Sequence, residues 1–134
     1  PAGTCFVGAD AVHTPMTNSR LTDPEILETR FPVVLEDFHI RPNSGGRGKW
    51  NSGNGTQRTI RTREKLEFAV LSGHRRVAPC GIKGGEPGQT GRNYVRRNNG
   101  TVEELIGSAH TVLEAGEAFT VVTPTGGGYG KRDE

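Results

Sequence analysis

Glycine sets the terms on which this chain can fold. It supplies 20 of the 134 residues and gathers in three runs. These are "NSGGRGKWNSGNG" (Asn43 to Gly55), "PCGIKGGEPGQTG" (Pro79 to Gly91) and "TPTGGGYG" (Thr123 to Gly130). No long helix or strand survives such runs. Only 31% of residues are hydrophobic, and 8 are proline, so the expectation is a small core threaded by many turns. Glycine lets the backbone take φ > 0 or come close to another segment. Trp50 and Arg47 are costly residues to leave in a flexible linker. The runs beginning at Asn43 and Thr123 are therefore expected to pack closely against a ligand or a partner domain. Backbone N–H groups in Thr123 to Gly130 offer an alternative, an anion cradle. That run lacks the Gly-Lys-Ser/Thr of a phosphate loop and the strand–turn–helix setting of a dinucleotide fingerprint. A strained turn that only glycine adopts is the preferred reading.

The length fits one domain, residues 1–134. "LTDPEILETRFP" carries a helix start. Asp23 can cap, Pro24 suits the first helical position, and Glu25 falls where the helix dipole favours an anion. Phe31-Pro32 ends the helix, because a residue before proline is pushed out of the α region. Strands are expected at Val33 to Ile40, with Leu35, Asp37 and His39 on one face and Val34, Phe38 and Ile40 on the other. Further strands are expected at Thr56 to Arg63 and Leu66 to Leu71, joined at Glu64-Lys65. Asn93 to Arg97 and Thr101 to Leu105 flank Asn99-Gly100 and read as a hairpin. Ala109 to Leu113 and Ala118 to Thr123 complete the set across a Glu114–Glu117 turn. The fold class is mainly β: a small β-sandwich or partly open barrel with one short helix and several Gly-rich loops.

A formal net charge of +2 is too weak to argue for nucleic acid. Arg58, Arg61, Arg63, Arg75, Arg76, Arg96 and Arg97 read as solvated surface arginines. No apolar run reaches the ~18 residues of a membrane helix, and no signal-peptide pattern opens the chain. Starting at Pro1 without an initiator Met, the sequence reads as a segment of a longer chain. Asn54-Gly55-Thr56 and Asn99-Gly100-Thr101 read as Asn-Gly turns rather than glycosylation sites. Cys5 and Cys80 have no metal-like spacing, and Cys80 is expected to be buried and inert. His39 and His110 read as structural, and His74 is ambiguous. His13 differs in its neighbours: Thr14, Thr17, Asn18, Ser19 and Arg20 are dense donors and acceptors. A histidine there can act as a general base or metal ligand. No second ligand at metal spacing accompanies it, so no metal site is expected in this chain.

Several spaced motifs, taken together, resemble the C-terminal part of the hydantoinase B / 5-oxoprolinase family. "HTPMTNSRLTDPE" resembles the family's HTxMTN(T/S) followed by TDPE. "ETRFP" and "SGGRG" resemble its E-x-R-[YF]-P and SGGxG. "HRRVAPCGIKGGEPGQTGRN" resembles a segment of paired arginines with a GGxPG turn, and "TPTGGGYG" resembles its terminal TPGGGGYG. Together these run from about Gly8 to Gly130. The chain departs from the pattern at Pro15, Asn51, Asn54, His74 and Thr125.

The resemblance implies a C-terminal module of an ATP-dependent cyclic amide hydrolase that opens 5-oxoproline to glutamate in glutathione turnover. It implies partners: the remaining hydantoinase B portion and a hydantoinase A-like ATP-binding portion or subunit. No cofactor is expected in this chain, while ATP and a divalent metal are implied for the intact enzyme, which is expected in the cytoplasm. His13, Asn18, Ser19 and Arg20 are the candidate site residues, with Glu28 and Arg30 as ion-pair partners of the following strand. Two rivals stand beside this reading. One is a non-catalytic interaction or scaffold domain derived from the family, and the other is a module of a related ATP-dependent carboxylase.

Overall fold

In the computed structural model, which describes residues 1–13, 16 and 19–133, one short helix precedes seven strands. Helix α1 (Pro24–Arg30) starts as its sequence dictates: the Asp23 carboxylate accepts from the Glu25 N–H at 2.9 Å, and Pro24 sits at the first turn. It ends at Phe31, whose backbone is extended. No residue of α1 is buried. What docks it is Glu28, whose Oε1 accepts from the Leu35 N–H at 2.9 Å. Glu28 therefore reaches the next strand through backbone rather than as an ion pair. Arg30 pairs with no carboxylate among the described residues.

The strands are β1 (Val33–Ile40), β2 (Thr56–Thr62), β3 (Leu66–Leu71), β4 (Arg92–Arg96), β5 (Val102–Leu105), β6 (Ser108–Leu113) and β7 (Ala118–Val122). They form an antiparallel five-stranded sheet, ordered β1-β2-β7-β4-β5, and a two-stranded sheet, β3-β6. Both sheets are open, and the fold is mainly β as expected. The short link at Glu64-Lys65 does not close a hairpin. It carries the chain from one sheet to the other, and the turn at Glu114–Glu117 carries it back.

The two pairings share one register. Arg61 lies opposite Ala118 in the large sheet, and Leu66 lies opposite Leu113 in the small one. Four residues separate these points on each side. Thr62 spans the corner: its N–H donates to Glu117 O at 2.9 Å, its carbonyl accepts from Gly116 N–H at 2.8 Å, and its hydroxyl reaches Glu114 O at 2.8 Å. A single bent ribbon thus links the sheets. Bending brings Phe68 and Val70 over Val95, Leu113, Phe119 and Val121, which is the core. The Phe68 and Phe119 rings stack with centroids 5.8 Å apart.

Strand β1 corrects the expected alternation. Leu35 pairs with Ile60 and Asp37 with Thr59, so a bulge absorbs Glu36. Adjacent residues of β2 face opposite ways, so Leu35 shares its face with Phe38 and Ile40 while Val34 joins Asp37 and His39. The bulge thus exchanges Leu35 and Val34 between the two expected faces and takes Glu36 out of the alternation. The hairpin of β4 and β5 is present, its loop being residues 98–100 between Arg97 and Thr101, as the expected strand ends leave it. Gly100 N–H donates to Arg97 O at 3.0 Å, and Gly100 takes φ +84°. This is a tight turn followed by a left-handed glycine. Asn54, by contrast, lies in no hairpin turn.

Two arginines expected on the surface are structural. Arg75 donates to Asn93 Oδ1 at 3.0 Å and to Gly73 O at 2.7 Å, and Asn93 is fully buried. Burial lowers the pKa of Arg75. Arg97 binds Glu117 at 2.9 Å, Glu103 at 2.9 Å and Val112 O at 2.7 Å. Burial pushes the Glu117 pKa up, but it is outweighed by the N–H of Glu114, the Arg97 guanidinium and the N–H of Asn98. The net shift is downward.

A carboxyl held below its ordinary value stabilises the fold above its unfolded pKa of about 4.3 and loses that contribution as pH falls. Glu117→Gln is therefore expected to lower stability at neutral pH. The gap to wild type should close as pH falls below about 4, read from urea unfolding across a pH series.

Candidate functional site

The three glycine runs knit to one another. Gly46 N–H donates to Gly126 O at 3.0 Å, Glu86 N–H to Arg47 O at 2.7 Å, Gly128 N–H to Glu86 O at 2.9 Å and Ile82 N–H to Gly128 O at 3.0 Å. Trp50 and Tyr129 exchange backbone bonds at 3.0 and 2.9 Å. A Cβ on Gly127 would overlap the carbonyl of Cys80, and one on Gly128 that of Arg47. Neither glycine has positive φ, so close approach demands them, not left-handed backbone. The loops supply one another with the close packing expected of them.

Three of the residues that depart from the family pattern, Asn51, Asn54 and Thr125, serve this platform. Asn54 Oδ1 accepts from Ser44 N–H at 2.9 Å and Gly45 N–H at 3.2 Å. Asn51 Oδ1 accepts from Gly48 N–H at 3.1 Å. The Thr125 hydroxyl donates to Ser44 O at 2.6 Å and accepts from Gln89 N–H at 2.8 Å.

On this platform lies the segment leading to the candidate residues. Gly8 N–H donates to Asn51 O at 2.7 Å and Ala11 N–H to Asn54 O at 2.9 Å. The Asp10 carboxylate accepts from Asn54 N–H at 2.7 Å. Beyond Ala11, His13, Ser19 and Arg20 are exposed. Their side chains have no hydrogen-bond partner among the described residues. Asn18 lies outside the described residues, as does Pro15. The structure thus carries His13 away from a fixed anchor at Asp10 and returns the chain to a second anchor, the Asp23 cap of α1. Asp10 was not legible in sequence, since only the fold brings it to Asn54.

The other histidines are tied locally. His39 Nδ1 lies 2.8 Å from Asp37 Oδ2, His110 Nε2 lies 3.2 Å from Glu67, and His74 Nδ1 lies 3.1 Å from Val77 O. Cys80 is exposed, not buried as expected, because its backbone is what packs against Gly127. Tyr129 accepts from the Thr4 hydroxyl at 2.9 Å, and Lys83 Nζ stands 5.6 Å from its ring centroid. The Thr4 bond first, then Lys83, holds the Tyr129 phenol below its ordinary value. Among the described residues no three metal-ligating side chains come together.

The geometry defines a class before it defines a family: a glycine-knotted, mainly-β module with His13, Ser19 and Arg20 exposed beside it and much apolar surface uncovered. The Hydantoinase B/oxoprolinase family model matches residues 1–132, and the chain belongs to that family. It is 41% identical over 133 residues to a 5-oxoprolinase of Dictyostelium discoideum, covering 98% of this chain and 10% of that protein. It is 41% identical over 129 residues to 5-oxoprolinase 1 of Arabidopsis thaliana, covering 96% of this chain and 10% of that one. The chain thus spans about a tenth of the length of these relatives. An ATP-dependent caprolactamase from Pseudomonas jessenii shares the fold, with a TM-score of 0.76 at 22% identity over 93% of this chain and 24% of its own.

Asp10→Ala should free the segment from its platform. Amide exchange is expected to rise at residues 8–13 and to stay unchanged in β2 and β7, by mass spectrometry.

Proposed function

We propose that this chain is the C-terminal module of an ATP-dependent cyclic amide hydrolase of the 5-oxoprolinase/hydantoinase type, which opens 5-oxoproline to glutamate. The observation that carries the reading is the match to 5-oxoprolinases across nearly the whole chain at 41% identity. Opening a stable lactam needs a polarised amide carbonyl and a positioned water. The chain's own contribution is a set of polar side chains. His13 holds or moves a proton, and Asn18, Ser19 and Arg20 contact substrate or the developing charge. Their support is physical: His13, Ser19 and Arg20 are exposed, carry no structural hydrogen bond among the described residues, and sit between two anchors.

ATP and the divalent metal are assigned in this reading to the hydantoinase A-like portion and the remaining hydantoinase B portion. On its own the chain is inactive. Its place is the cytoplasm, in glutathione turnover; no helix among the described residues is long and apolar enough to cross a membrane.

One observation favours a second reading, a scaffold domain. Asn51, Asn54 and Thr125, where the family pattern has other residues, all serve the platform.

The test is made in the intact enzyme with 5-oxoproline and ATP. His13→Ala is expected to lower kcat on the order of 10²-fold, with thermal stability unchanged. Full activity in His13→Ala and Arg20→Ala would leave the scaffold reading standing. ATP turnover that requires a ketone and bicarbonate would point to the carboxylase.

A further inference from the structure

The bent ribbon ends in an uncovered apolar tip. Leu71 is 90% exposed, Ile106 75% and Val77 73%, the most exposed aliphatic side chains in the described fold after Met16. They lie together. Leu71 closes β3 opposite Ser108, and the next N–H, of Ser72, donates to Gly107 O at 2.7 Å, which sets Ile106 beside the strand end. Ile106 and Val77 line one recess of about 550 Å³ with Arg75, Arg76 and His74.

The small sheet is weakly built for an arm that stands free. Two strands are marginal without further cover. The outward residues of β3 run Glu67, Ala69, Leu71, turning apolar towards the tip, and even Phe68 and Val70 on the inner face are only half-buried. Exposed apolar groups that cluster mark contact sites. By comparison, Phe38 and Ile40 on β1 are 45% and 48% exposed, already half covered.

The rim is basic. Arg75 is committed to Asn93. Arg76 meets no carboxylate among the described residues, and His74 is held at Nδ1 by Val77 O, leaving Nε2 outward. The surface that fits this tip is an apolar pocket edged with carboxylates. The relatives this chain matches are about ten times its length, so their chains contain ample surface to supply it.

We propose that the tip formed by Leu71, Val77 and Ile106 docks into an apolar, carboxylate-edged pocket on the hydantoinase-B-like remainder of the protein, and so fixes the module against it. The inference rests on the reading of the chain as a module of a larger enzyme. Docking there would hold the ribbon rigid, and through the corner it would hold the large sheet on which β1 and α1 are anchored.

The experiment uses the native protein that carries this chain. Its mass is measured first, then amide exchange at residues 69–72 and 106–109, in wild type and in Leu71→Asp/Ile106→Asp. Val102→Asp, at an exposed position on β5, is the control. The expected result is a protein much larger than 14.4 kDa, slow exchange at the tip, and at least tenfold faster exchange in the double variant but not the control. Exchange in β4 and β7 reports whether the variant is folded; if it is not, Leu71→Ala/Ile106→Ala replaces it. A large protein whose tip exchanges freely, or is indifferent to the substitutions, overturns the docking and leaves the module reading intact. A dimer of the 14.4 kDa chain that protects the tip overturns it in favour of self-association. A free 14.4 kDa monomer overturns both.

Discussion

Everything in this fold hangs on backbone meeting backbone where no side chain fits. At Gly127 and Gly128 the carbonyls of Cys80 and Arg47 occupy the space a Cβ would need. That contact joins three loops separated by up to 80 residues of sequence into one platform. The buried apolar core is small: Val95, Leu113 and Phe119 cluster with a few half-buried neighbours, and Val33, Ala118 and Val122 are the other buried apolar residues among those described. So small a core supplies limited stabilisation. Hydrogen bonds between closely packed loops therefore carry an unusual share of the order, and their geometry leaves little slack.

The platform and the ribbon do different work. The platform fixes the entry and, through β1, the exit of the polar segment around His13. The ribbon joins the two sheets and leaves its far end without cover. Charges follow the same division. Arg97 and Glu117 lock the corner region from within, while Glu36 braces Arg61 and Arg96 on the open face of the large sheet at 3.8 and 2.8 Å. A carboxylate shared by two arginines on a solvated face contributes modestly. The buried one at Glu117 is the more consequential, since its partners include backbone N–H groups that nothing else satisfies.

Local chemistry made the elements readable. Asp23-Pro24 announced the helix, and all seven strands fall within a residue or two of where apolar patterning and turn residues placed them. What was not readable was which strand pairs with which. The Glu64-Lys65 link looks like a hairpin turn, and only the shared register with β6 and β7 shows that the chain changes sheets there. The bulge at Glu36 was equally hidden, because an inserted residue leaves no mark in a short stretch of alternation. The glycine runs were legible as close-packing segments, but their packing on one another was not, since nothing local says that three loops distant in sequence answer one another. The family resemblance carried the functional reading, and His13 stood out by its neighbours. Asp10 did not, because an aspartate is informative only once its acceptor role at Asn54 is in view.

The corner of the ribbon has a consequence for how such a chain can change over time. Thr62–Lys65 and Glu114–Glu117 are matched in length, four residues against four. A strand's side chains alternate with a period of two, so a lone insertion ahead of β3 would slip that strand against β6 and turn Glu67 inward and Phe68 and Val70 outward, unless a bulge absorbed it as at Glu36. One residue added on both sides would keep the pairing but turn the whole arm over, so a matched change of two on each side is what preserves both register and face. The two corners, some fifty residues apart in sequence, are thus bound to one another as a unit of inheritance.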